Sequence, residues 1–216
     1  MKKIGILLFF FSLLSCKSQS VVALKKTKNI EKSMSDTTFV RLKSYSKDFE
    51  YDLKYATSDN FLKTKVYDCA ECYLRLKTVK KLIAINTILK KQGLKIKLFD
   101  CYRPLDVQKK MWKLVPNTNY VADPKKGSVH NRGCAVDLTL VSLKGVPLDM
   151  GTEFDFFGEK ANHDYQNLSE IIKTNRKLLK TVMLTNGFKS INSEWWHYNL
   201  IDGFDEKVAN FKWNCK

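Results

Sequence analysis

The chain has 216 residues and a mass of 25.1 kDa, enough for one domain of ordinary size with at most a tail. Hydrophobic residues make up 44% and charged residues 28%, which excludes a disordered or collagen-like chain, and four Pro and nine Gly are too few for a low-complexity linker protein. Lys and Arg number 38 against 22 Asp and Glu, a net charge of +16 that suits an anionic surrounding: nucleic acid, an anionic membrane or an acidic wall polymer.

Met1-Lys2-Lys3 is a short basic start, and Ile4 to Leu14 is an almost unbroken apolar run. That run is too short to span a bilayer and fits the apolar region of a signal peptide. Leu13-Leu14-Ser15-Cys16 resembles the bacterial lipobox, in which the chain is cut before the Cys and the thiol receives a diacylglycerol. The plainer account is an ordinary signal peptide with an incidental Cys. Leu, a small Ser and Cys in register at the end of the run favour the lipoprotein reading, with residues 1–15 as signal peptide and Cys16 as the lipidated residue. Residues 16–38 are rich in Lys, Ser and Thr, lack aromatics and read as a flexible tether beside an anionic membrane surface. The expected setting is the cell envelope, and export argues against nucleic acid as a partner.

Residues 39–216 read as one α+β domain. Phe39 to Tyr55 is expected to be extended, with alternation at Phe49, Tyr51 and Leu53. Val79, Leu82, Ile83, Ile85, Ile88 and Leu89 recur mostly at helical spacing and predict a helix over Tyr73 to Gln92, closed by Gly93. Leu94, Ile96 and Leu98 alternate with lysines, a half-buried strand running to about Tyr102. Pro104 opens a second helix through Leu114, and 116–127 is loop. Cys134 to Val141 reads as a strand, 145–158 as a turn-rich connection and Gln166 to Thr185 as a third helix. Two short strands follow, at Phe188–Ile191 and Trp196–Leu200. The irregular alternation points to a small mixed or antiparallel sheet with helices.

Only three histidines are present, and two stand in polar constellations: Ser128-Val129-His130-Asn131-Arg132-Gly133-Cys134-Ala135-Val136-Asp137 and Glu194-Trp195-Trp196-His197-Tyr198. A hydrolytic zinc site needs three protein ligands and one open position, which His130, Asp137 and His197 would supply. The plainer account of a His among apolar residues is a satisfied core or surface side chain. Here it must cover two such residues, each with an acid nearby. Glu194 is then a candidate general base, with the tryptophans forming an apolar pocket that raises its pKa. Residues three apart on an ideal strand face opposite sides, so the chain must bulge or turn between Glu194 and His197 if both serve one site. Gly133 would ease a loop-to-strand transition that brings His130 to Asp137. Arg103, at a strand end in Phe99-Asp100-Cys101-Tyr102-Arg103-Pro104, could stabilise an oxyanion, and a structural ion pair with Asp100 or Asp106 is an equally good account of it.

These motifs resemble a known family. Tyr55-Ala56-Thr57-Ser58-Asp59-Asn60-Phe61, Cys72-Tyr73-Leu74-Arg75, Asp100-Cys101-Tyr102-Arg103-Pro104, the Ser128-to-Thr139 segment, Met150-Gly151-Thr152-Glu153-Phe154-Asp155 and Glu194-Trp195-Trp196-His197-Tyr198 occur in this order in VanX-type zinc D-alanyl-D-alanine dipeptidases of the M15 peptidases. The resemblance implies the Hedgehog/D,D-peptidase-like fold, a small antiparallel sheet flanked by helices. It implies one zinc per chain on His130, Asp137 and His197, Glu194 as base and Arg103 as transition-state stabiliser. It places Asp155 and Tyr55 at the substrate's free amino end and Ser128 and Tyr67 near the dipeptide. The implied substrate is D-Ala-D-Ala, cleaved to two D-alanines. Asn131 stands where the family often has Ser, with little consequence expected, and His163 is given no role. The neighbouring possibility is a zinc D,D-carboxypeptidase or endopeptidase acting on wall peptides, and a third is a zinc-holding binding module.

Cysteines stand at 16, 69, 72, 101, 134 and 215. An oxidising envelope permits a disulfide from the Cys69/Cys72 pair to another cysteine, with Cys215 the nominated partner. Cys101 and Cys134 are expected to be buried thiols.

Overall fold

The computed structural model describes residues 34–215. The expected signal peptide, the Cys16 lipid site and the tether up to residue 33 lie outside these. The chain divides into two units, residues 1–36 and 37–216. Within the second, the carbonyl of Thr37 accepts from the Arg75 guanidinium and that of Thr38 from the Leu76 amide.

Among the described residues are seven strands and three α-helices. The strands are β1 (Phe39–Arg41), β2 (Glu50–Tyr51), β3 (Tyr73–Arg75), β4 (Leu94–Asp100), β5 (Ala135–Ser142), β6 (Phe188–Ile191) and β7 (Glu194–Leu200). The helices are α1 (Leu76–Lys90), α2 (Leu105–Leu114) and α3 (Glu170–Leu184). A five-stranded sheet has the order β2-β4-β5-β7-β6, antiparallel throughout except for the short parallel pairing of β2 with β4. β1 and β3 form a separate antiparallel pair. This is the α+β arrangement that the irregular element order implied.

Alternation divides the central sheet into two chemical faces. Ile96, Leu98, Val136, Leu138, Leu140 and Tyr198 share one side of the pleat and are fully buried. α1 packs against β4, and α3 against β6 and β7, burying Val79, Leu82, Ile85, Leu89 and Leu179 completely. Each such aliphatic side chain contributes about 1.5–3 kcal/mol by leaving water. The opposite side of the pleat carries Lys97, Thr139, Asp137, His197 and Asn199, and there the chemistry collects.

The first three residues of the expected long helix are strand. Phe39, Val40 and Arg41 offer a pairing edge to Arg75, Leu74 and Tyr73, and α1 begins only at Leu76. α3 likewise starts at Glu170, after an irregular 162–169 segment. β7 extends two residues further back than its pattern suggested, because Ile191 pairs with Glu194 across the Asn192-Ser193 turn.

Residues 206–215 run as an extended strap over the start of α2. The Leu105 amide donates to Ala209, the Ala209 amide to Asn131, and the Tyr102 hydroxyl to Phe211. Phe211 stacks on Tyr102 at 4.6 Å, and Trp213 on Tyr73 at 5.5 Å. Disulfides join Cys69 to Cys215 and Cys72 to Cys101. The first is the pairing nominated above. The second corrects the expectation of a free thiol at Cys101: β3 runs beside the end of β4, and the Tyr102 amide donates to the Tyr73 carbonyl. Among the described residues Cys134 is the free cysteine, and it is buried.

The Cys72–Cys101 link closes a loop of 29 residues. Chain-entropy reasoning assigns such a loop about 3–4 kcal/mol. The double variant Cys72→Ala/Cys101→Ala should lose that much unfolding free energy in urea titration, with a steeper slope as the released denatured chain exposes more surface.

Candidate metal centre and active-site cleft

One row across three adjacent strands places the central groups. Asp137 on β5 lies opposite His197 on β7 and opposite Asp100 on β4. The Asp100 position depends on a bulge at Phe99, where the register shifts by one residue. Without it Asp100 would pair with Val136 and point to the apolar side. A second irregularity serves Glu194. Ser190 pairs with Tyr198 and Ile191 with Glu194, so Trp195, Trp196 and His197 have no opposite residues on β6. That bulge brings Glu194 Oε2 to 3.9 Å from His197 Nδ1, the local departure that the three-residue spacing required.

His130 comes from the short 3-10 turn His130–Arg132 before β5. The turn ends in Gly133 at φ +70°, and a Cβ there would stand 2.2 Å from the Phe39 ring. Both conformation and space therefore demand glycine.

Three ligand atoms converge. His197 Nδ1 lies 2.9 Å from Asp137 Oδ1 and 3.2 Å from His130 Nε2, and His130 Nε2 lies 3.4 Å from Asp137 Oδ2. Ligand bonds of about 2.0–2.1 Å in a tetrahedral shell put donor atoms ~3.3 Å apart, so the cluster matches a zinc-sized ion. The outer nitrogens are committed elsewhere. His130 Nδ1 donates to the Cys101 carbonyl at 2.7 Å, and His197 Nε2 donates to Asn199 Oδ1 at 2.9 Å. Those bonds leave a lone pair on each inward nitrogen, as metal ligation needs. The electrostatics agree. Burial would raise the pKa of Asp137, but His130 and His197 overcome it and hold the carboxylate ionised well below its usual range. Burial would lower that of His197, yet Asp137 pushes it up to about 9. The cluster favours positive charge at its centre.

A cleft of 570 Å³ opens on this cluster and is lined also by Glu194, Arg103, Tyr55, Asp155 and Ser128. Burial raises the pKa of Glu194, against the opposing pull of His197. Arg103 is 7% exposed. Its Nε and Nη2 donate to Asp100 Oδ2 at 3.2 and 2.7 Å, and Nη1 donates to Gln108 Oε1 at 3.0 Å. Burial disfavours its charge, but Asp100 above all reverses this and keeps the guanidinium charged. Both sequence accounts of Arg103 hold at once: it is ion-paired with Asp100 and it lines the cleft. Its guanidinium also lies 5.3 Å from the centroid of the Tyr55 ring.

Asp155 adopts φ +60°, a left-handed conformation rare for a residue with a side chain. The Tyr55 hydroxyl donates to both of its carboxylate oxygens at 3.1 Å. Burial, reinforced by Asp137, pushes the pKa of this carboxyl well up. Its charged form therefore gains strongly from a cation brought into the cleft.

Tyr67 does not line the cleft. It is 4% exposed behind it, where its hydroxyl donates to Asp100 Oδ1 at 2.7 Å and so supports the carboxylate that holds Arg103. Asn131 matters more than its sequence reading allowed. Its side chain accepts from the Ser128 amide at 2.7 Å and donates to the Arg103 carbonyl at 2.7 Å, coupling both segments. Asn199 and Gln108 escaped the sequence reading. Asn199 had a usable signal, since two residues after His197 on a strand it must share that face. Gln108 had none, because its partner comes from the preceding turn.

A His-Asp-His cluster with a carboxylate and an arginine at hand, on a small sheet flanked by helices, defines a metallopeptidase. Residues 35–214 match the M15 peptidase family described as D-Ala-D-Ala dipeptidase, and the chain belongs to that family. It is 39% identical over 183 residues to a D-alanyl-D-alanine dipeptidase of Escherichia coli (strain K12), covering 84% of this chain and 95% of that one. It is 32% identical over 173 residues to a D-alanyl-D-alanine dipeptidase of Enterococcus faecium, covering 70% and 86%. A vancomycin-resistance D,D-pentapeptidase VanY structure aligns at 12% identity and TM-score 0.40, covering 64% of this chain and 82% of that one.

Asn199→Ala removes the acceptor that orients His197. Zinc affinity measured by chelator competition should fall by about 10–100-fold with the fold intact.

Proposed function

We propose that this chain hydrolyses the free dipeptide D-Ala-D-Ala to two D-alanines, with one zinc ion held by His130, Asp137 and His197. The observation that carries this reading is the shared cleft: the ligand cluster, Glu194, Arg103 and an acid for an amine all line it. The zinc, when bound, supplies Lewis acidity that polarises the scissile carbonyl and makes water a stronger acid. Glu194 takes the proton of the attacking water and delivers it to the departing amide nitrogen, so the proton count closes within one carboxyl. Its raised pKa suits it to both halves of that task. Arg103, kept charged and immobile by Asp100 and Gln108, donates N–H groups to the developing oxyanion. Asp155, oriented by the Tyr55 hydroxyl, pairs with the substrate ammonium. An N-blocked peptide leaves that carboxylate without its cation and is rejected. Ser128 offers a hydroxyl at the cleft wall toward the dipeptide. Tyr67 acts through Asp100 rather than on substrate.

The test is amine release from D-Ala-D-Ala, L-Ala-L-Ala and an N-acetylated peptide ending in D-Ala-D-Ala. Only the free D,D-dipeptide should be cleaved, and a chelator should abolish the activity. Preferential cleavage of the blocked peptide would instead identify a carboxypeptidase. Glu194→Ala should keep zinc and lose about 10²–10⁴-fold in kcat. Asp155→Asn should lose about 2–5 kcal/mol of transition-state binding for the free dipeptide, read as kcat/KM.

The same proposal places the enzyme in the cell envelope, anchored by lipid on Cys16. The motif Leu13-Leu14-Ser15-Cys16 and two disulfides, which belong to an oxidising compartment, support it. Cys16→Ser should move the protein from the membrane fraction to the soluble fraction, with specific activity unchanged.

A further inference from the structure

Away from the cleft, a pocket of 270 Å³ lies between α3 and the 162–169 segment. Its lining includes four cationic side chains, Lys173, Arg176, Lys177 and Lys180, together with His163, and no carboxylate. Positions 173, 177 and 180 follow one stripe of the helix, so three ammonium groups face the same opening. Lys173 is paired with the exposed Glu170 at 2.9 Å. Lys177 and Lys180 have no carboxylate within ion-pairing distance among the described residues.

Arg176 is the more telling residue. It is 5% exposed, and its guanidinium donates only to backbone carbonyls: Nε to Met150 at 2.7 Å, Nη1 to Asn162 at 3.1 Å and Nη2 to Lys160 at 2.9 Å. Burial disfavours its charge; Asp149 supports that charge from a distance and the centroid of the Trp195 ring lies 5.9 Å away, but no carboxylate among the described residues is ion-paired with it. A buried cation without an ion-paired carboxylate is costly, and the lysines beside it raise that cost. His163 lines the same pocket, and its Nε2 is buried without a partner. A buried guanidinium charge and flexible ammonium groups suit a group with several oxygens and about two negative charges, more than a carboxylate carries.

We propose that this pocket binds a phosphate-type oxyanion, with Lys177 and Lys180 as its exposed jaws and Arg176 as the buried charge at its base. The same chemistry is offered by free phosphate esters and by phospholipid headgroups.

The full chain, zinc-loaded, is titrated calorimetrically with inorganic phosphate at about 0.15 M chloride, where loose surface attraction is screened. The wild type should show a binding event that weakens about tenfold or more in Lys177→Ala/Lys180→Ala, while D-Ala-D-Ala hydrolysis stays unchanged and certifies the fold. Absence of binding to the wild type, or equal binding by the double variant, overturns the proposal. Acetate binding as tightly as phosphate overturns the assignment to a multiply charged oxyanion. Sedimentation with vesicles of phosphatidylglycerol in phosphatidylcholine, against phosphatidylcholine alone, separates the two sources. Variant-sensitive capture by the anionic vesicles identifies a lipid headgroup. Phosphate binding without such capture identifies a soluble ester. Both uphold the pocket.

Discussion

Asp137 is placed between two strands that each give it a partner, and the cleft is built outward from that row. On one side stands His197, and on the other Asp100, which grips Arg103. The acid of the candidate metal cluster and the acid that holds Arg103 thus sit on neighbouring strands, closer than like charges tolerate without help. The help is local and specific. Asp137 is held ionised by two imidazoles, and Asp100 accepts from Arg103, from Tyr67 and from the Cys101 amide. Backbone pairing fixes the spacing before any ligand arrives, which is how a sheet supplies preorganisation more cheaply than a loop could.

The two irregularities in that sheet carry as much meaning as its regular pairs. A regular β4 would turn Asp100 toward the hydrocarbon side, where nothing could satisfy it. A regular β6–β7 hairpin would send Glu194 away from His197. Each bulge exchanges a ladder hydrogen bond for the aim of one carboxylate. The left-handed backbone of Asp155 is a third instance; Glu194 and Asp155 line the cleft, and Asp100 acts on it from behind through Arg103.

Much of this was legible in the sequence, for reasons that differ from residue to residue. The helix α1 and the alternating strand β4 follow from period alone. His130, Asp137, His197 and Glu194 stood out because histidine is scarce here and polar residues interrupt apolar runs. The need for a bulge before His197 followed from parity. What did not follow depends on contacts between distant segments. Tyr73 to Arg75 has a helical pattern but takes strand geometry because β1 offers it an edge. Cys101 looks like any core thiol until β3 is seen beside it. Tyr67 bears on Arg103 through Asp100 and Gln108 binds it directly, and no local spacing announces that.

The strap of residues 206–215 bears on when the site comes into being. Its Ala209 supplies the acceptor for the Leu105 amide and the donor for the Asn131 carbonyl, on the segments that carry Arg103 and His130. Cys215 then ties the strap to Cys69. In a chain made from its N-terminus, the arginine and histidine segments are made first and braced by residues that follow much later. That brace therefore rests on contacts of long sequence separation, and the link that secures it needs an oxidant to close the cysteine pair.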